Sequence, residues 1–212
     1  MNSTALTGSI AMGKTTVSNM FRDIGVPVWC ADNAVKKLYQ KNGAATKIIS
    51  KEYPDVVTES GVDKNKLRNL IHIDNSILKN IEAIVHPLLQ NSKSNFLKTN
   101  KHRPLVIYDI PLLFEKELEK DFDAVLVVTA STITQRNRVL GRKNITDKDF
   151  QLIKRNQLGE EEKIKKADFV INTDRSLTET MHDVVQINEK IIELVRWNER
   201  GCFRYGNYWY IC

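Results

Sequence analysis

Gly8-Ser9-Ile10-Ala11-Met12-Gly13-Lys14-Thr15 fits the pattern GxxxxGK[ST] at every fixed position, and each residue type answers a demand of phosphate chemistry. Backbone N–H groups converge on phosphate oxygens only where a loop is tight and its side chains small, at a helix N-terminus whose dipole favours anions. Gly8 and Gly13 supply that loop. Lys14 can reach the β- and γ-phosphates, and the Thr15 hydroxyl can ligate the Mg²⁺ that bridges them. Ala11, Met12 and Thr16 complete the expected nucleotide contacts, Thr16 either through its amide or as a cap. The loop alone leaves GTPases, ATPases, helicases and kinases open; with the rest of the chain weighed, ATP with Mg²⁺ is the expected ligand pair.

A phosphate loop must hang between a strand and a helix, and the flanking residues supply both. Thr4-Ala5-Leu6-Thr7 reads as a short strand, and Val17, Met20, Phe21 and Ile24 recur at helical spacing until Gly25 stops them. Val26 to Trp29 reads as a second strand that delivers Asp32 to its C-terminal end, where Asp32 can also cap a helix carrying Val35, Leu38 and Tyr39. From about residue 46 to 100 the pattern is helical and strand-poor. His86-Pro87 is expected to interrupt it, because the residue before a proline is pushed out of the α region, and a separate helix is expected from Leu88 to Leu97. Leu105 to Ile110 and Ala124 to Val128 are continuous β-branched runs, the mark of strands buried on both faces of a parallel sheet. Ser131 caps a basic helix, Thr146 to Asp149 has the form of a capping box, and a last strand at Phe169-Val170-Ile171 precedes a final helix.

The predicted fold is therefore α/β: a P-loop NTPase-type, doubly wound sheet of about five parallel strands, with an inserted helical substrate subdomain and a helical lid. The expected organisation is one kinase domain over 1–212. Its core covers about 1–45, 101–140 and 166–196, the insertion about 46–100, the lid about 141–165 and an aromatic tail 197–212.

Other residues are placed to serve a phosphoryl transfer. A carboxylate at the end of the strand beside the loop, Asp32, can lie within hydrogen-bond reach of a hydroxyl poised near the γ-phosphate. Asp109 ends an apolar strand as a Mg²⁺-holding carboxylate would, or is simply a polar strand end. Arg138 and Arg142 are four apart, hence on one helix face, and fit a lid that brings guanidinium groups onto the transferring phosphoryl; a solvated basic face is the plainer alternative. Pro111 to Glu115 is apolar where loops are usually polar, which suits either an acceptor wall, with Leu112 and Phe114, or core packing. Arg155 and Lys163 can close on ATP, although the Glu160-Glu161-Glu162 run offers them ordinary helix salt bridges.

Composition narrows the class. With 212 residues, 42% hydrophobic and 27% charged, the chain can bury one good core and is too apolar for a disordered one. No stretch approaches the roughly 18 apolar residues of a membrane span and the N-terminus lacks a basic segment followed by an apolar one, so a cytoplasmic location is expected. Cys30, Cys202 and Cys212 form no CxxC pair, and neither a disulfide framework nor a zinc site is expected. The net charge of +6 suits an enzyme whose ligands carry phosphates as well as it suits nucleic acid.

No NKxD-type guanine signature accompanies the phosphate loop. From about Thr4 to Val195 the chain resembles the dephospho-coenzyme A kinase family, whose members catalyse the last step of coenzyme A synthesis. The resemblance is carried by the phosphate loop with Thr16-Val17, Ala31-Asp32, His86-Pro87-Leu88-Leu89 and Pro111 to Glu115. Gln135-Arg136-Asn137-Arg138 with Arg142, Arg155-Asn156-Gln157 with Glu162-Lys163, and Ala167 to Asn172 extend it. It implies that Asp32 faces the ribose 3′-hydroxyl of dephospho-coenzyme A and accepts its proton, and that His86 lies near that acceptor or is structural. Two features depart from the family pattern: Cys30 stands where the family commonly has a second Asp, and the tail from Trp197 to Cys212 has no evident counterpart. The expected partners are thus a small-molecule substrate, no nucleic acid and no membrane, with a monomer or weak homo-oligomer. A kinase for another small alcohol, or a nucleotide-dependent nucleic-acid-binding protein using the aromatic tail, are the competing readings.

Overall fold

Apolar, β-branched runs become the strands of the computed structural model, which describes residues 1–142, 145–199, 203–205 and 208–210, with side chains over 1–142 and 145–194. In chain order the elements are β1 (Asn2–Thr7), α1 (Lys14–Asp23), β2 (Val28–Cys30), α2 (Ala31–Tyr39), α3 (Ala44–Glu52), β3 (Val57–Thr58), β4 (Gly61–Val62), α4 (Lys64–Ile73) and α5 (Ser76–Thr99). They continue with β5 (Leu105–Asp109), β6 (Ala124–Thr129), α6 (Thr132–Leu140), α7 (Asp147–Arg155), α8 (Glu160–Lys165), β7 (Phe169–Asn172), α9 (Leu177–Glu199), β8 (Phe203–Tyr205) and β9 (Tyr208–Tyr210). These elements fall into two compact units, Met1–Val28 with Asn100–Cys212, and Trp29–Thr99.

The first unit is built on a five-stranded sheet of order β2-β5-β1-β6-β7. β1 pairs in parallel with both β5 and β6, and β6 pairs in parallel with β7. β5 is buried along its whole length, as its unbroken apolar run predicts. Val17 and Phe21 of α1 and Val184 and Ile191 of α9 pack on Leu6, Ile107, Leu126 and Ile171 of the sheet. Strand ends moved by one or two residues for local reasons. β1 starts at Asn2, which already has Leu105 as its partner. β2 starts only at Val28, because the Val26 amide is taken by the Phe21 carbonyl at 2.9 Å in the turn after α1 and Pro27 has no amide to give.

In the second unit α2, α3, α4 and α5 bury Ala45, Ile49, Leu67, Ile77, Ile81 and Val85 in a separate core. His86-Pro87 does not interrupt the helix, contrary to expectation: α5 runs unbroken from Ser76 to Thr99 with Pro87 inside it. Proline in a helix interior removes a hydrogen bond and costs about 3 kcal/mol. Here the apolar stripe continues through it, from Ile77, Ile81 and Val85 to the partly buried Leu88 and Leu89, while Pro87 faces solvent. Packing of that stripe against α2 and α3 outweighs the local loss.

Asp32 is not the cap of α2. β2 runs directly into the helix, so Cys30, in extended conformation and half-buried, takes the N-cap position and Asp32 falls in the first turn. Ser131 does cap α6, accepting from the Thr134 amide at 3.2 Å, and Thr146 and Asp149 form the reciprocal capping box that opens α7. A second box, Ser176 with Glu179, starts α9. Within the tail, α9 reaches Glu199 and β8 pairs antiparallel with β9, Phe203 opposite Tyr210. Cys202 and Cys212 lie outside the described residues.

Candidate active site

The loop from Gly8 to Gly13 joins the central strand β1 to α1. Gly13 caps the helix with φ 94°, a left-handed conformation that favours glycine, and a Cβ built there would lie 2.9 Å from Thr173 Oγ1. Ala11 also has positive φ, at 61°. An L-residue held there is strained by about 1–2 kcal/mol, so its surroundings must over-determine it. They do: Ala11 is buried against Val139 of α6 and Phe150 of α7. The Met12 amide folds back on the Ser9 carbonyl at 3.2 Å, and Val17 makes the first helical bond, to Gly13. The amides of Ala11, Gly13, Lys14, Thr15 and Thr16 find no acceptor among the described residues. Thr15 and Thr16 are exposed on the first turn of α1, whereas the side chains of Ala11 and Met12 are buried. Unanswered amides at a helix N-terminus beside a lysine form an anion cradle.

Three successive loop carbonyls, by contrast, are answered from outside. Gln135 Nε2, on a side chain only 3% exposed, donates to the Ile10 carbonyl at 2.9 Å, Arg138 Nη1 to Ala11 at 3.5 Å and Thr173 Oγ1 to Met12 at 2.7 Å. Fixing the carbonyls outward turns the amides inward. Arg138 also donates to both oxygens of Thr173, at 2.8 and 2.7 Å. α6 ends at Leu140 with Gly141 as its C-cap, so Arg142 lies beyond the helix, exposed, and does not share a helix face with Arg138 as the four-residue spacing suggested. Arg138 is a clamp on the loop and on the residue after β7; Arg142 is the arginine open to solvent.

Lys14 pairs with Asp109, which is 3% exposed at the end of β5. The strand register sets this up, since Asp109 stands opposite Leu6, two residues before the loop begins. The Asp109 carboxylate and the Thr15 hydroxyl are hard oxygen donors of the kind Mg²⁺ takes. Among the described residues no three acidic, histidine or cysteine side chains cluster as a metal cage. Mg²⁺ is usually held through one or two carboxylates together with substrate phosphates.

Lys163 departs most from its sequence reading. It forms no surface bridge with the glutamate run: it is fully buried, with Nζ 2.9 Å from Glu115 Oε1 and 3.2 Å from Ser9 Oγ. Burial opposes ionisation of Glu115, but hydrogen bonds from Lys163 and from the Leu158 amide, at 2.8 Å, outweigh it and hold the carboxyl below its ordinary value. Ser9 donates in turn to Glu160 Oε2 at 2.8 Å, and the Ile10 amide donates to Gln157 Oε1 at 3.1 Å. Beside Arg138, the Asp174 carboxyl is lowered chiefly by the Thr134 hydroxyl, against the cost of burial, with Ser131 and the Arg138 charge adding to the effect.

The acceptor-side expectations divide. Leu112 is 41% exposed, but Phe114 is buried beneath the Lys166 ammonium, 5.6 Å from its ring centre, and packs as core. Arg155 is exposed at the end of α7. Asp32 and His86 belong to the second unit, both exposed, Asp32 on the first turn of α2 with no capping bond and His86 midway along α5. Sequence reasoning missed Gln135 and Thr173. Gln135 was within reach, since a polar residue four before the buried Val139 shares its inward face.

The sequence profile of a family described as Dephospho-CoA kinase matches residues 3–179. A Dephospho-CoA kinase from Jannaschia sp. (strain CCS1) is 45% identical over 188 residues, 89% of this chain and 96% of that protein. A crystal structure from Thermus thermophilus, 28% identical, superposes with a TM-score of 0.77 over 89% of this chain and 96% of its own. Dephospho-CoA kinase from Campylobacter jejuni, at 21% identity, shares the fold with a TM-score of 0.63, covering 90% of this chain and 97% of its own.

Proposed function

This chain belongs to the dephospho-CoA kinase family, and from that premise we propose how its residues carry out the last step of coenzyme A synthesis, transfer of the γ-phosphoryl group of ATP to dephospho-coenzyme A. The observation that carries the reading is the cradle itself: five amides without an acceptor among the described residues, at the start of α1, with Lys14 and Asp109 beside them.

The amides of residues 11 and 13–16 receive the phosphates of ATP, and the Lys14 ammonium exchanges part of its hold on Asp109 for the β- and γ-oxygens. Thr15 and Asp109 are the residues that would hold Mg²⁺; the ion, when bound, neutralises charge on the phosphate oxygens. Asp32 orients the ribose 3′-hydroxyl and takes its proton as that oxygen bonds to the γ-phosphorus. The bond from phosphorus to the β–γ bridging oxygen breaks, and its electron pair leaves with ADP. Arg142, from the segment before α7, meets the charge that develops on the moving group, and Arg138 serves by shaping the loop. Leu112 contacts the acceptor, with Phe114 supporting it from the core, and His86 is a further acceptor-binding candidate.

No helix is long and apolar enough to cross a membrane among the described residues, and the reading is of a cytoplasmic enzyme, monomeric or weakly self-associating, that takes small molecules and no nucleic acid. One assay tests it. Protein mixed with ATP, Mg²⁺ and dephospho-coenzyme A should yield coenzyme A and ADP in equal amounts. Silence on that acceptor with turnover on another alcohol would overturn the substrate.

A further inference from the structure

Positions 9 and 10 of the phosphate loop are unrestricted in its sequence pattern, yet both are tied to side chains from elsewhere in the chain. Three of these ties come from one short stretch. Gln157 accepts from the Ile10 amide, Glu160 accepts from the Ser9 hydroxyl, and Lys163 donates to Ser9 Oγ. The same stretch grips the loop after β5, through the Leu158 amide and the Lys163 ammonium on Glu115 Oε1.

We propose that Lys163 is a positioning residue for ATP, a buried ammonium that holds Ser9 and Glu115 together so that the loop keeps its phosphate-binding shape. It cannot touch phosphate from where it stands, being 0% exposed with Glu115 and Ser9 as its hydrogen-bond partners. Its charge is also irreplaceable in place. Glu115 Oε2 and Glu160 Oε1 are buried without a hydrogen-bond partner, and no other cation pairs with either residue among the described ones. Loss of Lys163 would therefore leave carboxylate charge beside Ser9 with no cation to oppose it, and the loop would shift to relieve it.

The inference rests on reading residues 8–15 as the ATP site, and its test uses binding of ATP·Mg²⁺ to the full chain with no acceptor present. Turnover is a separate measurement: a native protein that binds ATP but ignores dephospho-coenzyme A would sink the substrate reading alone. Lys163→Met should weaken ATP·Mg²⁺ about 10- to 100-fold, the scale of a lost charged hydrogen bond and a misplaced loop. The KM for dephospho-coenzyme A should move by less than the ATP affinity does, since Lys163 bonds Ser9 of the phosphate loop directly and bears on Leu112 only through Glu115. Ser9→Ala alone should weaken ATP several-fold, and in the S9A background K163M should cost less than in the native chain, because the part of its effect that runs through its strut to Ser9 is already gone. Equal effects of K163M in the two backgrounds, or native ATP affinity in a folded K163M, would overturn the proposal. Should K163M not fold, Lys163→Arg replaces it in the same cycle. A guanidinium fork cannot reproduce the Nζ–Ser9 geometry, so K163R should lose affinity when Ser9 is present and little when it is absent; equal loss in both backgrounds refutes the strut.

Discussion

Replacing Gly13 by alanine puts a methyl group where the structure has least room for one. The φ of 94° costs an L-residue about 1–2 kcal/mol. The new Cβ would lie 2.9, 3.1 and 3.2 Å from Oγ1, Cγ2 and Cβ of Thr173, an overpacking that typically adds about 1–3 kcal/mol. Thr173 cannot yield freely, since its hydroxyl donates to the Met12 carbonyl and accepts from Arg138; displacing it loses about 1 kcal/mol more. The sum, about 3–6 kcal/mol, is shared between stability and the shape of the cradle. Gly25→Ala isolates the backbone part: φ is 82° there and no atom lies within 4 Å of the added Cβ. Chemical denaturation and calorimetry of ATP·Mg²⁺ binding on both variants separate the contributions. Gly25→Ala should lose about 1–2 kcal/mol of stability and bind ATP normally. Gly13→Ala should lose at least about 1 kcal/mol more stability and bind ATP about 10- to 100-fold more weakly. If the two variants lose equal stability and Gly13→Ala binds ATP as the native chain does, the contact with Thr173 is not what holds the loop.

Asp32→Ala should lower kcat about 10²- to 10⁴-fold with ATP affinity unchanged; a native turnover number removes Asp32 from the chemistry. Pro87→Ala restores an amide inside α5 at an exposed position, so it should raise the melting temperature by several degrees, about 1–3 kcal/mol. A fall in stability would mean that the proline ring is packed rather than tolerated. The Glu115 carboxyl is held below its ordinary value of 4.5 in the folded chain, so its contribution to stability is complete above about pH 4.5 and is lost as the pH falls through the lowered value. Between pH 6 and 3 the native chain should therefore lose stability more steeply than Glu115→Gln, and parallel curves would contradict the pairing with Lys163.

The strands were legible because a sheet covered on both faces demands unbroken apolar runs, and Leu105 to Tyr108 supplies one without alternation. The phosphate loop was legible because its chemistry leaves few residue choices. Local rules failed where packing decided. Pro87 should end a helix by its own geometry, but the stripe at Ile77, Ile81, Val85 and Leu89 is a longer-range instruction and prevails. Helical spacing placed Arg142 on the face of Arg138, yet Gly141 closes α6 one residue earlier. Lys163 lies among Glu160, Glu161 and Glu162, a string that reads as a solvated surface; only the approach of Ser9 and Glu115 from other parts of the chain makes it a buried cation. Nothing in the local sequence announces such a meeting.

The outward carbonyls of Ile10, Ala11 and Met12 have a kinetic corollary. A loop already braced from behind does not need to be moulded by its guest, so little ordering entropy is left to oppose nucleotide capture. A mould of constant form also grips the two inner phosphates alike before and after transfer. Discrimination between the spent and the charged nucleotide must then fall to the groups that touch only the outermost phosphate, and turnover should be limited by how readily those groups let go.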